Sequence, residues 1–61
     1  SPTRAAFQTL GLDPSGRYSA KDLKLAFRTA AKKAHPDLGG NTQRFMAVQA
    51  AYQLLIKGVT T

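Results

Sequence analysis

The sequence predicts an all-α fold: an antiparallel hairpin of two amphipathic helices with a shorter helix packed against it. Three observations predict it. Apolar residues recur at the 3.6-residue helical period in two long segments. Residues that start and stop helices bracket those segments, with Ser19 and Asp22 at one start and Gly11, Pro36 and Gly58 at the stops. Finally, 61 residues without a cysteine form one small domain whose core must be simple, because no disulfide or thiolate zinc site can supplement it.

The first helix is expected from about Pro2 to Leu10, with Ala6, Phe7 and Leu10 on one face and Gly11 ending it. Ser1 before Pro2 suits an N-cap and first-turn position. It fits a vector-derived overhang equally well. Leu12 should pack under the following turn, and Asp13-Pro14-Ser15-Gly16 is a turn by composition.

The second helix should span about 20–34. The Ser19 hydroxyl can cap the amide three residues on, while the Asp22 carboxylate reaches back to the amide of Ser19. Stepping about 100° per residue places Leu23, Ala26, Phe27, Ala30, Ala31 and Ala34 on the inner face. The same stepping gathers Lys21, Lys24, Arg28 and Lys32 in a sector of roughly 80°, with Leu25 projecting beside them, away from the core. An apolar side chain among four cations reads as a contact surface. Lysines that merely solvate the outside of an amphipathic helix give the same pattern, and the spacing alone does not choose.

Pro36 has no amide hydrogen and disfavours the α conformation at His35, so the helix must stop near Ala34. His35 becomes a helix-end residue, beside exposed carbonyls and partial negative charge. Asp37 falls just outside the helix, with no obvious ion-pair partner nearby. In the remainder of the 35–41 loop, Gly39, Gly40 and Asn41 all tolerate positive φ, which suits a tight reversal after Leu38.

The third helix is expected over about 42–57, with Gly58 as its stop and Phe45, Val48, Tyr52, Leu55 and Ile56 facing inward. A connection of about seven residues makes the two long helices antiparallel and brings Phe27 to the side chains of the third. The first helix should close one end. The expected core is Phe7, Leu10, Leu23, Phe27, Phe45, Val48, Tyr52 and Leu55.

Nine Lys and Arg against three acidic residues give a net charge of +6, so the partner should be acidic. One histidine and Asp13, Asp22 and Asp37 provide neither a metal cluster nor an acid–base pair. An enzyme is not expected, nor is a cofactor or metal. No apolar run approaches the ~20 residues of a membrane span, and there is no signal-peptide pattern. Cysteine usage weighs toward a reducing compartment, cytoplasm or organelle matrix, and fixes none.

Any three named residues turn up by chance in something on the order of one chain in a hundred of this length, so His35-Pro36-Asp37 needs its context. That context resembles the J-domain of DnaJ-type co-chaperones along almost the whole chain. Phe7-Gln8-Thr9-Leu10-Gly11-Leu12 is similar to the family's first helix and its Leu-Gly ending. Leu23, Ala26-Phe27, Lys33 and His35-Pro36-Asp37 follow the family's order and spacing along the second helix. Phe45, Val48, Ala51-Tyr52 and Leu55 repeat the third helix's pattern.

The resemblance implies that His35, Pro36 and Asp37 engage a DnaK-type heat-shock chaperone and trigger its ATP hydrolysis. It implies that Lys24 and Arg28 dock on an acidic face of the chaperone's nucleotide-binding domain; Lys21, Leu25 and Lys32 join them on helical geometry alone. Departures from the family pattern are Ala34, where an aromatic is usual, and Ala30, where leucine is common, so packing beneath the loop should be thin and the loop mobile. The expectation is a short form lacking the family's fourth, basic helix, acting as a monomer. The alternatives are a degenerate J-like adaptor that stimulates no ATPase and a small basic three-helix DNA-binding domain. The second is disfavoured because the connection exceeds a helix-turn-helix turn and the candidate reading helix carries only Arg44 and Lys57; no nucleic-acid partner is expected.

Overall fold

The computed structural model describes residues 2–60. Its elements are α1 (Pro2–Thr9), α2 (Ala20–Ala34), one 3-10 turn (Pro36–Leu38) and α3 (Thr42–Thr60). The reading of Ser1 as the first N-cap falls outside the described residues.

Each junction has an identifiable chemical cause. At the end of α1, Gly11 adopts φ 74°, the Leu12 amide donates to the Phe7 carbonyl at 2.8 Å and the Gly11 amide to the Gln8 carbonyl at 3.0 Å. This is the Schellman arrangement, which satisfies two orphan carbonyls and turns Leu12 back toward Phe7. α2 opens on the reciprocal cap: Ser19 Oγ accepts from the Asp22 amide at 3.2 Å, and Asp22 Oδ2 accepts from the Ser19 amide at 3.1 Å.

α2 and α3 form the antiparallel hairpin of an all-α domain. Phe27 stacks on Tyr52 with ring centroids 4.6 Å apart, while His35 meets Phe45 about two helical turns further along the pairing. α1, expected to close one end, lies instead along α3. α3 can serve both neighbours because it carries no charged residue from Phe45 to Ile56, so it has apolar flanks on two sides.

The fully buried centre is aliphatic: Ala6, Leu10, Leu23, Ala34, Val48, Ala51 and Leu55, with Leu23 only 1 % exposed. Phe7, Phe27, Phe45 and Tyr52, expected as core, are half-buried around that centre. The alanines explain this. Ala6, Ala34 and Ala51 take places at the centre, and the rings pack against it from its margin. A second correction concerns Gly58, expected to stop the third helix: α3 runs through it to Thr60. Glycine costs only about 1 kcal/mol in a helix interior, and no proline follows to force a stop.

Candidate partner-binding site

The tripeptide sits on the 3-10 turn between α2 and α3, and several independent contacts hold it. His35 is extended, at φ −60° and ψ 129°, as a residue before proline should be. Its carbonyl accepts from the Leu38 amide at 2.9 Å and from the Gly40 amide at 3.0 Å. Its Nδ1 accepts from the Asp37 amide at 3.2 Å, so the imidazole acts as a side-chain cap on the turn. The ring also meets Phe45 edge-on, with centroids 5.3 Å apart.

The three residues that close the loop divide the work differently from expectation. Only Gly39 has positive φ, at 92°. Gly40 is there because its backbone lies against Ala34: a Cβ at position 40 would overlap the Ala34 carbonyl. Asn41 is not left-handed; its Oδ1 accepts from the Arg44 amide at 2.7 Å and caps α3. The small Ala34 is buried under this contact. The turn is therefore fastened at both ends, through Ala34–Gly40 and through Asn41.

Asp37 stands apart from these bonds. Its side chain is 89 % exposed, and no hydrogen bond reaches its carboxylate from the described residues. The nearest cationic candidate is His35 Nδ1, 3.9 Å from Oδ2, a neighbour that the sequence did not single out. The two roles of Nδ1 exclude each other, because a nitrogen that accepts the Asp37 amide hydrogen has no proton for the carboxylate. The 3.2 Å contact has hydrogen-bond geometry and the 3.9 Å contact does not, so Nδ1 serves the Asp37 amide and not its carboxylate. Asp37 is left with open acceptors.

The other two carboxylates are engaged. Asp22 caps α2. Asp13 accepts from the Ser15 amide at 2.9 Å and the Ser15 hydroxyl at 2.8 Å, and these bonds hold it below the ordinary carboxylate value of 3.8.

Lys21, Lys24, Arg28 and Lys32 are all exposed on α2, and among the described residues no carboxylate lies within ion-pair distance of any of them. Leu25, in the same sector, is 53 % exposed. Leu38 was not foreseen as a surface residue and is 62 % exposed directly after Asp37. An apolar residue placed between a carboxylate and two glycines was the signal that could have marked it. Among the described residues no group of three His, Asp, Glu or Cys could hold a metal, and no helix is long and apolar enough to cross a membrane.

Fold and site together define a small helical domain with one exposed carboxylate just beyond the end of a cationic helix. Residues 5–59 match the DnaJ domain, and the chain belongs to that family, the J-domains of co-chaperones. It is 46 % identical over 54 residues to an uncharacterized 19.0 kDa protein in the cobS 5' region of Sinorhizobium sp, covering 82 % of this chain and 30 % of that protein. Chaperone protein dnaJ 3 of Arabidopsis thaliana is 41 % identical over 49 residues, and DnaJ protein homolog 2 of Allium porrum 39 % over 49 residues; each match covers 80 % of this chain and 11 % of the relative. The chain thus spans less than a third of the length of these relatives. No solved structure matches it.

Proposed function

We propose that this domain binds a DnaK-type heat-shock chaperone and stimulates its ATP hydrolysis. The observation that carries the reading is Asp37: a carboxylate with unspent acceptors on a turn that other groups hold in place. Such a group is ready to take a cation on a partner without first breaking a bond of its own. Among the described residues Lys21, Lys24, Arg28 and Lys32 have no counter-ion, and with Leu25 they supply docking. Charge of this kind raises encounter rates and sets register more than it adds affinity. His35 and Pro36 are positioning residues, one capping the turn and the other ending α2.

No side chain here needs to reach the nucleotide. A binding domain accelerates a partner's hydrolysis by favouring the partner's reactive conformation over its resting one. A tenfold stimulation requires about 1.4 kcal/mol of such differential binding, and a thousandfold about 4 kcal/mol. One carboxylate–cation pair desolvated at the interface, with its neighbours, is of that order.

The test is single-turnover ATP hydrolysis by a DnaK-type chaperone with and without the domain. The wild-type chain should stimulate, Asp37→Asn should not, and reversing Lys24 and Arg28 to Glu should raise the concentration needed for half-maximal effect. Normal stimulation by Asp37→Asn would overturn the role assigned to the loop. A folded wild-type chain that binds such a chaperone and leaves its turnover unchanged would point instead to a J-like adaptor.

A further inference from the structure

The domain carries a second cationic feature on its other side. A cleft of about 440 Å³ opens where the end of α1, the end of α2 and the start of α3 converge. Its floor is aliphatic, made by Ala30, Ala34, Ala47 and Val48. Lys33 and Arg44 stand at its rim, both exposed and neither within ion-pair distance of a carboxylate among the described residues. Gln8 and Thr9 complete the wall from α1.

Lys33 is not part of the docking stripe. At about 100° per residue it lies about 140° round α2 from Arg28. Among the described residues no acidic one lines the cleft, so two like charges face the same space without compensation from them. That arrangement costs folding free energy and is relieved when an anion enters.

We infer that this cleft is a docking site for an acidic peptide segment, one that inserts a glutamate or aspartate flanked by aliphatic side chains. The rim cations select the carboxylate, and Arg44 offers a fork suited to holding it in two-point fashion. The methyl-lined floor gives a bare ion nothing and an aliphatic side chain a surface to cover. The Thr9 hydroxyl donates to the Ala5 carbonyl at 2.9 Å, which leaves its oxygen free to accept. With the Gln8 amide it can hydrogen-bond the backbone of an added segment. The volume lies within the range of small-molecule sites between helices, and four of the lining side chains outside the floor are solvent-facing, so a chain can enter laterally. Because the stripe and the cleft occupy different flanks of α2, the segment and a partner on the stripe can be bound together. The inference does not depend on the ATPase reading.

The experiment is a two-dimensional amide NMR titration of the 61-residue chain with the peptide acetyl-Ala-Glu-Leu-Glu-Ala-amide, its double-glutamine counterpart, and hexanoate, all at matched ionic strength. The acidic peptide should give saturable shifts centred on Thr9, Ala30, Lys33, Ala34 and Ala47, with the glutamine peptide about tenfold weaker, a difference of one decade in Kd. Lys33→Gln and Arg44→Gln should each weaken binding. Ala47→Glu, on an exposed position that leaves packing intact, should abolish it by placing a carboxylate in the cleft. Ala30→Leu should do so by filling the floor. Shifts centred on Lys24 and Arg28, or shifts reproduced by salt, would overturn the site. Hexanoate binding as tightly as the peptide would overturn the peptide assignment and leave a small-anion pocket.

Discussion

Two loops of this domain contain the same pair of residues in opposite order, Asp13-Pro14 before α2 and Pro36-Asp37 after it, and they use the carboxylate in opposite ways. In the first loop the aspartate is the fastener. Its Oδ1 takes both the amide and the hydroxyl of Ser15, its carbonyl takes the Gly16 amide at 3.0 Å, and its own amide donates to the Tyr18 hydroxyl at 2.9 Å. In the second loop the fastening is done by the His35 imidazole and carbonyl, by Gly40 against Ala34 and by Asn41. Asp37 contributes only its amide. A loop that holds itself together without its carboxylate can offer that carboxylate to something else.

The strongest way to break this comparison is to exchange aspartate for asparagine in each loop. Asp37→Asn should reduce stimulation of a DnaK-type ATPase by at least about tenfold, the equivalent of about 1.4 kcal/mol. Its unfolding free energy should change by no more than about 0.5 kcal/mol, as for an ordinary surface substitution. Asp13→Asn should do the reverse, leaving stimulation intact while lowering the melting temperature. If the two variants behave alike, the contrast between the loops is wrong.

Gly40→Ala tests the fastening itself. The added Cβ meets backbone, which cannot move aside as a side chain would, so chemical denaturation should show a loss of about 1–3 kcal/mol, accompanied by loss of stimulation. Gly39→Ala, strained only through its positive φ, should cost about 1–2 kcal/mol.

His35 gives a smaller and more selective effect. His35→Ala removes the acceptor for the Asp37 amide, a bond worth about 1 kcal/mol, and should depress stimulation with the helices intact by circular dichroism. His35→Asn keeps a side-chain oxygen able to cap the turn and should recover part of the stimulation. Equal failure of both would mean that the imidazole contacts the partner rather than positioning Asp37.

The smallest effect is a pH dependence. The carboxyl of Asp13 is held below 3.8, first by the Ser15 amide and then by the Ser15 hydroxyl. A depressed acid stabilises the fold above its unfolded value and stops doing so as pH falls through the folded one. Ser15→Ala should therefore flatten the loss of thermal stability below about pH 4 without changing stability trends near neutrality.

Much of this was legible because it is local. The reciprocal Ser19–Asp22 cap, the Pro36 stop and the Gly11 ending depend on groups within a few residues, and helical periodicity placed Lys21, Lys24, Arg28 and Lys32 on one exposed face. The tripeptide's context also sufficed to suggest the family. Less legible were the contacts between residues distant in sequence. Phe45 against the His35 ring and α1 along α3 depend on how helices settle, and periodicity ranks residues by face without saying how close two faces come. The depth of each core residue is a case in point: Leu10, Leu23, Val48 and Leu55, expected in the core, are buried together with Ala6, Ala34 and Ala51, while the expected rings of Phe7, Phe27, Phe45 and Tyr52 pack half-buried against them.

From its sequence alone this protein is an all-α hairpin with a cationic second helix and a proline-stopped turn carrying His35 and Asp37, because propensity, capping and charge are properties of neighbours in the chain. Tertiary structure decided that Gly40 must be glycine, that Asp37 is spared from the loop's own bonds, and that Lys33 and Arg44 face one cleft. Each of these depends on distances across the packed helices, which no spacing along the chain encodes.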